Sequence, residues 1–208
     1  MDVYEAIAKR MTIRDFDERE IPLEIIKKLL SAGLQAPTND HLRRWEFILV
    51  QDRTQREVLI HRLDKPRSPQ SVRKILDGWG LIEPIQREMY MEGIPKQHSM
   101  LLNAGALIIP CFYTETPLLK PETLSSLNSF ASIWCCIENI LVAAASEGIF
   151  GVTRIPFEAE RKTIRRLLKI PALYETPCYL ALGYPAQGEN RSKQCEVNLE
   201  EKIHFNRW

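Results

Sequence analysis

The sequence has 208 residues, in which 28 lysine and arginine residues nearly balance 27 aspartate and glutamate residues, for a formal net charge of +1 at pH 7. A chain of this length can bury a substantial core, and 45% hydrophobic with 26% charged residues is the composition of a globular protein rather than a disordered one. The balanced charge argues against a generally basic protein that coats nucleic acid, but it permits a local basic pocket. We therefore expect no nucleic-acid partner.

The N-terminal residues have no apolar core of the kind found in secretory signals. The longest apolar stretches, around 104–113 and 133–145, are too short or too interrupted to predict a membrane span. Five cysteines are present, four of them in apolar runs, which predicts reduced, buried thiols, and no spacing typical of a metal site occurs. Adjacent Cys135 and Cys136 fit core filling better than a redox pair, which would be strained. A cytoplasmic protein without membrane or metal partners is expected.

The first half of the chain shows hydrophobic periodicities that change from helical to extended and back. Pro22 stands at a position where proline is tolerated, the first turn of a helix. The predicted elements, in chain order, are a helix over 2–10, an extended segment over 10–16, a helix from Pro22 to near Pro37, a polar turn over 38–44, a strand over 45–50 and a helix over 54–63.

The middle of the chain is less regular. A helix is predicted around 71–92, and we expect residues 60–100 to form a variable surface insertion that covers the active site. Residues 106–113 are typical of a buried strand, although Pro110 predicts that its second half lies at an edge or a bulge.

The second half of the chain contains the longest predicted helix, over 124–147, whose apolar residues surround it almost completely and therefore indicate a central, buried position. Gly148 ends it. The segment 151–155, a helix over 158–168, a strand over 177–183 and a polar tail from 187 follow. Few strands separated by many helices predict an α+β class with a mixed sheet, in a single domain over 1–208.

Arg10, Thr12 and Arg14 alternate along the extended segment, so their side chains project from one face. Two guanidinium groups and a hydroxyl form a suitable cradle for a phosphate. Arg191 and Lys193 show the same spacing in the tail and would add to this site if the tail folds back. The alternative is that these are solvated charges, paired with Asp15, Asp17 or Glu196.

The loop between the second helix and the first strand is the other candidate site. It runs from Ala36 through a polar stretch, 37–44, to the aromatic residue Trp45 that begins the strand. Such a loop offers backbone groups, amides and hydroxyls to the edge of a flat heterocycle. The alternative is a plain connection between a helix and a strand.

These two segments together resemble the nitroreductase family of flavin-dependent oxidoreductases, whose pattern is roughly RRSxRxF followed by APSxxNxQPW. Three later segments also resemble it, at matching order and spacing, and only residues 60–100 lack a counterpart. The segments that carry the resemblance are Lys9-Arg10-Met11-Thr12-Ile13-Arg14-Asp15-Phe16, Ala36-Pro37-Thr38 with Trp45-Glu46-Phe47, the run from Cys136 to Ala144 before Gly148, the loop from Gly151 to Phe157, and the end from Leu182 to Pro185 with Leu199-Glu200-Glu201 and His204 to Trp208.

The resemblance implies an α+β homodimer, with a mainly antiparallel sheet flanked by helices and with FMN at the subunit interface. FMN carries about two negative charges on its phosphate. By position, the resemblance implies that the phosphate and ribityl group would be held by Arg10, Met11, Thr12 and Arg14, with Arg191 and Lys193 as candidates from the tail. The residues that would face the flavin of the partner subunit are Pro37, Thr38, Asn39 and His41. The residues that would pass close to the ring are Thr153, Arg154, Ile155 and Pro156.

The resemblance also implies a reaction. NADH or NADPH would give hydride to flavin N5 and leave, after which a small flat acceptor such as a nitroaromatic or a quinone would be reduced in the same cleft, with no catalytic side chain required. The alternatives are another flavin reaction of the same fold, namely dehalogenation, enone reduction or FMN fragmentation, and a non-catalytic flavin-binding protein. Arg154 either stabilises the reduced flavin or pairs with Glu158.

The sequence departs from the family pattern at Met11, His41 and Arg43-Arg44, where the family has a basic residue, asparagine and Gln-Pro. The flavin contacts of His41 and the two arginines therefore stay open. Aromatic and methionine residues in the insertion would either cover the flavin or pack in the core or dimer interface; they are Trp79, Met89, Tyr90 and Met91.

Overall fold

In the computed structural model, which describes residues 1–63, 65–189 and 196–208, the core is built around a five-stranded antiparallel sheet. The strand order is β1-β2-β5-β3, and the short β4 pairs with the end of β2. The strands of the described residues are β1 Trp45–Leu49, β2 Ala106–Tyr113, β3 Phe150–Arg154, β4 Tyr174–Glu175 and β5 Tyr179–Gly183.

The described part of the chain contains eight α-helices, and two 3-10 turns are found at Leu124–Leu127 and Glu200–Lys202. The predicted α+β fold with its long central helix is confirmed. The helices are α1 Val3–Lys9, α2 Leu23–Gly33, α3 Arg53–Leu63, α4 Pro69–Gly78, α5 Pro84–Gly93, α6 Gln97–Asn103, α7 Asn128–Ser146 and α8 Glu158–Leu167.

Alternation along the central strands divides the core into two layers. In β2, Leu107 and Ile109 belong to a buried cluster with residues of α3, α6 and α8. Ala106 and Ile108 belong to a second cluster with α2 and α7. The helices α2 and α7 pack closely, since a Cβ added at Gly33 would lie 2.6 Å from Cγ1 of Ile140.

Pro110 lies inside an interior strand, so the predicted edge or bulge is wrong. Tyr113 N donates to Arg44 O on the β1 side (3.0 Å), and by alternation the nitrogen of Pro110 faces the opposite side. On that side the pairing with β5 ends at Ile108 and the pairing with β4 begins at Phe112. The missing N–H therefore falls in a gap between two partner strands and removes no ladder hydrogen bond.

The predicted helix over 71–92 is two helices, α4 and α5. The left-handed backbone at Gly80 (φ 66°) ends the first, and Pro84 starts the second at a position that needs no hydrogen-bonded N–H. These helices have a small buried cluster of their own, formed by Val72, Leu76 and Ile94.

The helix α7 is buried on one side rather than all round. Ile133, Cys136, Ile137 and Ile140 are buried, whereas Cys135 is exposed, contrary to the prediction of buried thiols. Together with the preceding turn, 124–146, it is long and apolar enough to cross a membrane by length and composition alone. Its buried side packs on α2 and the sheet, as the core helix of a globular fold does.

Candidate cofactor site

The segment 10–16 lies beside strand β3. Thr12 forms a parallel bridge with Gly151, and Ile13 N donates to Gly151 O at 3.4 Å. Ile13 is buried in the core, and Met11 packs against the same cluster. Because side chains alternate in extended backbone, Thr12 projects from the opposite face, as the sequence predicted.

Arg10 and Arg14 have different surroundings. Nε of Arg10 lies 3.2 Å from Oε1 of Glu138 on α7, and both side chains are accessible to solvent. Arg14 is half-buried against α5, where a Cβ added at Gly93 would lie 3.0 Å from the guanidinium carbon.

The guanidinium of Arg14 forms no hydrogen bond or ion pair with any residue that the structure describes. Burial lowers its pKa, and this effect exceeds the opposite influence of the carboxylates of Glu92, Glu189 and Asp15 nearby. A partly buried charge without a partner is costly. The site therefore suits an anionic group, which would supply the missing hydrogen-bond acceptors.

At the other end of β3, Arg154 turns into the protein. Its side chain is 3% exposed, and it donates to both carboxylate oxygens of Glu160, at 2.8 and 2.7 Å. The predicted alternative partner, Glu158, is wrong, because Glu158 pairs with Arg161 at 2.7 Å. Glu160 also accepts a hydrogen bond from Phe157 N at 3.0 Å, so one carboxylate fixes the whole turn over 154–157.

The turn presents Ile155 to solvent, with 67% of the residue exposed, while Pro156 is buried. Thr153 is half-buried and pairs in register with Leu180 of β5. Since Arg154 is three residues beyond Gly151, the turn and the Thr12 segment lie about 10 Å apart along one strand. An elongated ligand with an anionic end could extend along this edge between them.

The last part of the 60–100 segment contacts both ends of this edge. Nζ of Lys96 donates to Oδ2 of Asp15 at 2.5 Å and to Oε1 of Glu92 at 3.2 Å. Nε of Arg154 donates to Oε1 of Gln97 at 3.3 Å. The junction between α5 and α6 thus joins the Arg14 segment to the turn after β3.

The loop 37–44 is held in a strained conformation. His41 (φ 58°) and Arg43 (φ 46°) are left-handed. Asp40 accepts from Leu42 N at 3.1 Å and from Nη2 of Arg44 at 2.9 Å, and these hydrogen bonds, the backbone one first, lower the pKa of Asp40. Arg44 is also stacked on the ring of Tyr113, 4.0 Å from its centroid.

This loop borders a polar pocket of about 170 Å³ between itself and the start of α7. Pro37 and His41 are exposed beside it. The lining includes Thr38, Asn39, Asp40, Arg44, Trp45, Tyr113, Ser125, Asn128, Ser129 and Ser132.

The predicted residues gather in two groups rather than one. The segment 10–14 and the turn 153–156 share the β3 edge, while the loop 37–41 precedes β1 at the opposite edge. Strands β1 and β3 are three spacings apart, about 15 Å. Arg191 and Lys193 lie outside the described residues.

Three residues at this edge were missed by the sequence reasoning: Lys96, Gln97 and Glu160. Glu160 had a detectable signal, because it stands three residues after the N-cap Phe157, where a glutamate often binds back to the cap. Lys96 and Gln97 had none, since their partners lie 81 and 57 residues away in the chain.

Comparisons with known proteins show the family and the fold of the chain. The profile described as "Nitroreductase family" matches residues 7–184. An NADH dehydrogenase/NAD(P)H nitroreductase of Methanothermobacter thermautotrophicus is 30% identical over 218 residues, which cover all of this chain and 88% of the relative.

Two solved structures share the fold. Oxidized iodotyrosine deiodinase bound to FMN and 3-iodo-L-tyrosine superposes with a TM-score of 0.75 at 18% identity, over all of both chains. The NADPH:FMN oxidoreductase of Vibrio harveyi, complexed with NAD+, superposes with a TM-score of 0.70 at 18% identity, over 99% of this chain and 77% of the other.

Proposed function

The chain belongs to the nitroreductase family, and on that premise we propose that it is an FMN-dependent oxidoreductase that uses NADH or NADPH to reduce a small flat acceptor. The observation that carries this proposal is the half-buried guanidinium of Arg14. It lies against Gly93 of α5 and has no partner among the described residues. A phosphate at this point would complete its hydrogen bonding and offset its burial.

In this proposal the residues along β3 hold the two ends of the cofactor. Arg10, Thr12 and Arg14, with the backbone of Met11, bind the phosphate and ribityl end. The turn over 153–156 passes the ring and offers backbone groups, while the Arg154 side chain supports the turn from inside through Glu160. When bound, FMN would accept two electrons from the nicotinamide and deliver them to the acceptor.

We propose that the active form is a homodimer in which the loop 37–41 reaches the cofactor of the partner subunit. One chain cannot bring this loop to its own β3 edge, because the two lie on opposite edges of the sheet. Exposed apolar residues support the same proposal: Ala131 and Cys135 on α7 are exposed, as are Phe205 and Trp208 near the C-terminus.

We also propose that the protein acts in the cytoplasm as a single domain over 1–208. Cys111, Cys136 and Cys178 are free, buried thiols, which suits a reducing compartment. The insertion over 60–100 would then lie over the site, since its end already contacts Asp15 and Arg154.

The first experiment is to purify the protein, record its visible spectrum, and add NADH or NADPH under anaerobic conditions. A yellow protein that bleaches with either nucleotide and regains its colour with a nitroaromatic or a quinone supports the proposal. A colourless protein that does not bind added FMN contradicts it. A yellow protein that bleaches with neither nucleotide indicates a non-catalytic flavin-binding protein.

Reductive dehalogenation is a second candidate, and enone reduction and FMN fragmentation are the remaining reactions to test. The observation that favours dehalogenation is the match to relatives named iodotyrosine deiodinase, at 22–24% identity over most of this chain. Release of halide from a halogenated phenol or tyrosine, with dithionite as reductant, would identify this activity. Nitroaromatic turnover without halide release would exclude it.

A further inference from the structure

Lys96 stands between two carboxylates at the start of α6. Its ammonium group donates to Asp15 at 2.5 Å and to Glu92 at 3.2 Å, and 27% of its side chain is exposed. Burial lowers the pKa of Lys96, but the hydrogen bonds to Asp15 and Glu92 outweigh this and raise it. The ammonium therefore stays charged and holds both carboxylates.

Glu92, Glu189 and Asp15 are close enough to act on the charge of Arg14, and Lys96 donates to two of these three carboxylates. Asp15 is the neighbour of Arg14 in the chain, and Glu92 precedes Gly93, whose backbone lies against the Arg14 guanidinium. An arginine and a carboxylate this close ordinarily form a bidentate pair. Arg14 forms none with the described residues, although the acceptors are present.

We propose that Lys96 is a positioning residue for anion binding: by holding Asp15 and Glu92, it keeps them from pairing with Arg14 and leaves that guanidinium free for the phosphate. This inference rests on the proposed function, because it assigns the phosphate of FMN as the anion. Lys96 does not touch the cofactor and acts through Arg14. Without Lys96, a released carboxylate would pair with Arg14 and compete with the phosphate.

The test compares FMN with riboflavin, which lacks the phosphate, in fluorescence titrations of the flavin-free chain. Lys96→Met should weaken FMN binding by about tenfold or more, since the loss of one charged hydrogen bond to the phosphate lowers affinity by about this factor. Riboflavin binding should change by less than about threefold. Lys74→Met, on an exposed part of α4, is the matched control and should change neither. Unchanged FMN binding in Lys96→Met would overturn the proposal.

Two further variants separate positioning from mere structural support. Lys96→Arg keeps the charge and should keep FMN affinity. The triple variant Lys96→Met/Asp15→Asn/Glu92→Gln removes both carboxylates that Lys96 holds and should recover most of the lost affinity, because these effects are coupled through Arg14. A loss that the triple variant does not reverse, at equal melting temperature, would mean that Lys96 only supports the fold and would contradict the proposal.

A measurement without flavin distinguishes this inference from the proposed function. Solvent exchange of the Arg14 Nε–H, followed by NMR on the flavin-free protein, should slow in Lys96→Met as a carboxylate binds. If exchange is slower in Lys96→Met but the parent protein binds FMN no better than riboflavin, the role of Lys96 is supported and the FMN phosphate is excluded as the anion. If the exchange rate is the same in Lys96→Met and in the parent protein, and the parent binds FMN tightly, the role of Lys96 is contradicted and the proposed function still stands.

Discussion

Arg154 and Glu160 form a bidentate ion pair, with hydrogen bonds of 2.8 and 2.7 Å and with side chains that are 3% and 9% exposed. The pair joins the end of β3 to the first turn of α8, and the rings of Phe157 and Tyr179 lie 5.7 and 5.3 Å from the guanidinium carbon. Glu160 also accepts from Phe157 N. The turn over 154–157 is therefore fixed from inside the protein by a buried ion pair.

Removing Glu160 should be strongly destabilising. Glu160→Ala removes the bidentate carboxylate partner of the buried Arg154, and breaking such a pair costs about 3–5 kcal/mol. Urea unfolding of the flavin-free chain measures this. Glu158→Ala, which removes an exposed partner of Arg161, should cost less than about 1 kcal/mol. Equal losses for the two variants would contradict the buried-pair interpretation.

Arg56 should be essential for stability although it has no role at the site. It is buried, and it donates to the carbonyl oxygens of Val50, Leu102 and Ala104 at the ends of β1 and α6. Arg56→Met leaves these acceptors unsatisfied, so we expect a loss of about 3 kcal/mol in unfolding free energy. The control is Arg53→Met on the same helix, whose side chain is 85% exposed and which should change little.

Arg14, unlike Arg56, should matter for FMN binding and not for the stability of the fold. Its guanidinium is partly buried without a partner, so Arg14→Gln should leave the stability of the flavin-free chain unchanged or higher. FMN affinity should fall about tenfold to a hundredfold while riboflavin affinity is kept. Arg19→Gln, which removes an exposed partner of Asp17, is the control for FMN binding. A stability loss with intact FMN affinity would show that Arg14 is structural.

Glu189 should make the stability depend on pH. Its burial, followed by the hydrogen bond and the charge of Asp15, raises its pKa. A carboxyl whose pKa is higher in the folded state stabilises the fold below its unfolded pKa, about 4.3, and that contribution is lost as the pH rises through the folded value. Glu189→Gln should therefore raise the melting temperature at pH 7 to 8 and have little effect near pH 4. A gain of equal size at both values would rule out titration of Glu189.

Cys135 reports on the proposed dimer. It is exposed in the single chain, whereas burial, together with the charge of Cys135, raises the pKa of the neighbouring Cys136 to about 12. In a Cys195→Ser background, Cys135 should be alkylated slowly in the dimer. Ala131→Arg on the same face of α7 should produce a monomer by analytical ultracentrifugation and speed up this alkylation. Gln70→Arg on exposed α4 should do neither, and a monomeric parent protein would contradict the dimer.

Local sequence patterns determined most of the secondary structure and the fold of this protein. The alternation of Met11 and Ile13 with Arg10, Thr12 and Arg14 set which side chains enter the core, and the spacing of apolar residues set β1, β2, α7 and α8 because those periodicities are local. The exposed Cys135 and the interior Pro110 escaped prediction, since each depends on which neighbour packs beside it.

Only the tertiary structure decided which partner each charged side chain has and how deeply it is buried. Arg10, Arg14 and Arg154 are equally basic in the sequence, yet one pairs with Glu138 at the surface, one is left without a described partner, and one is buried against Glu160. Lys96 takes Asp15 from 81 residues away. The near-zero net charge gives the balance of these charged groups but not their positions. The energy of an ion pair depends on distance and burial, and both are set only when the chain has folded.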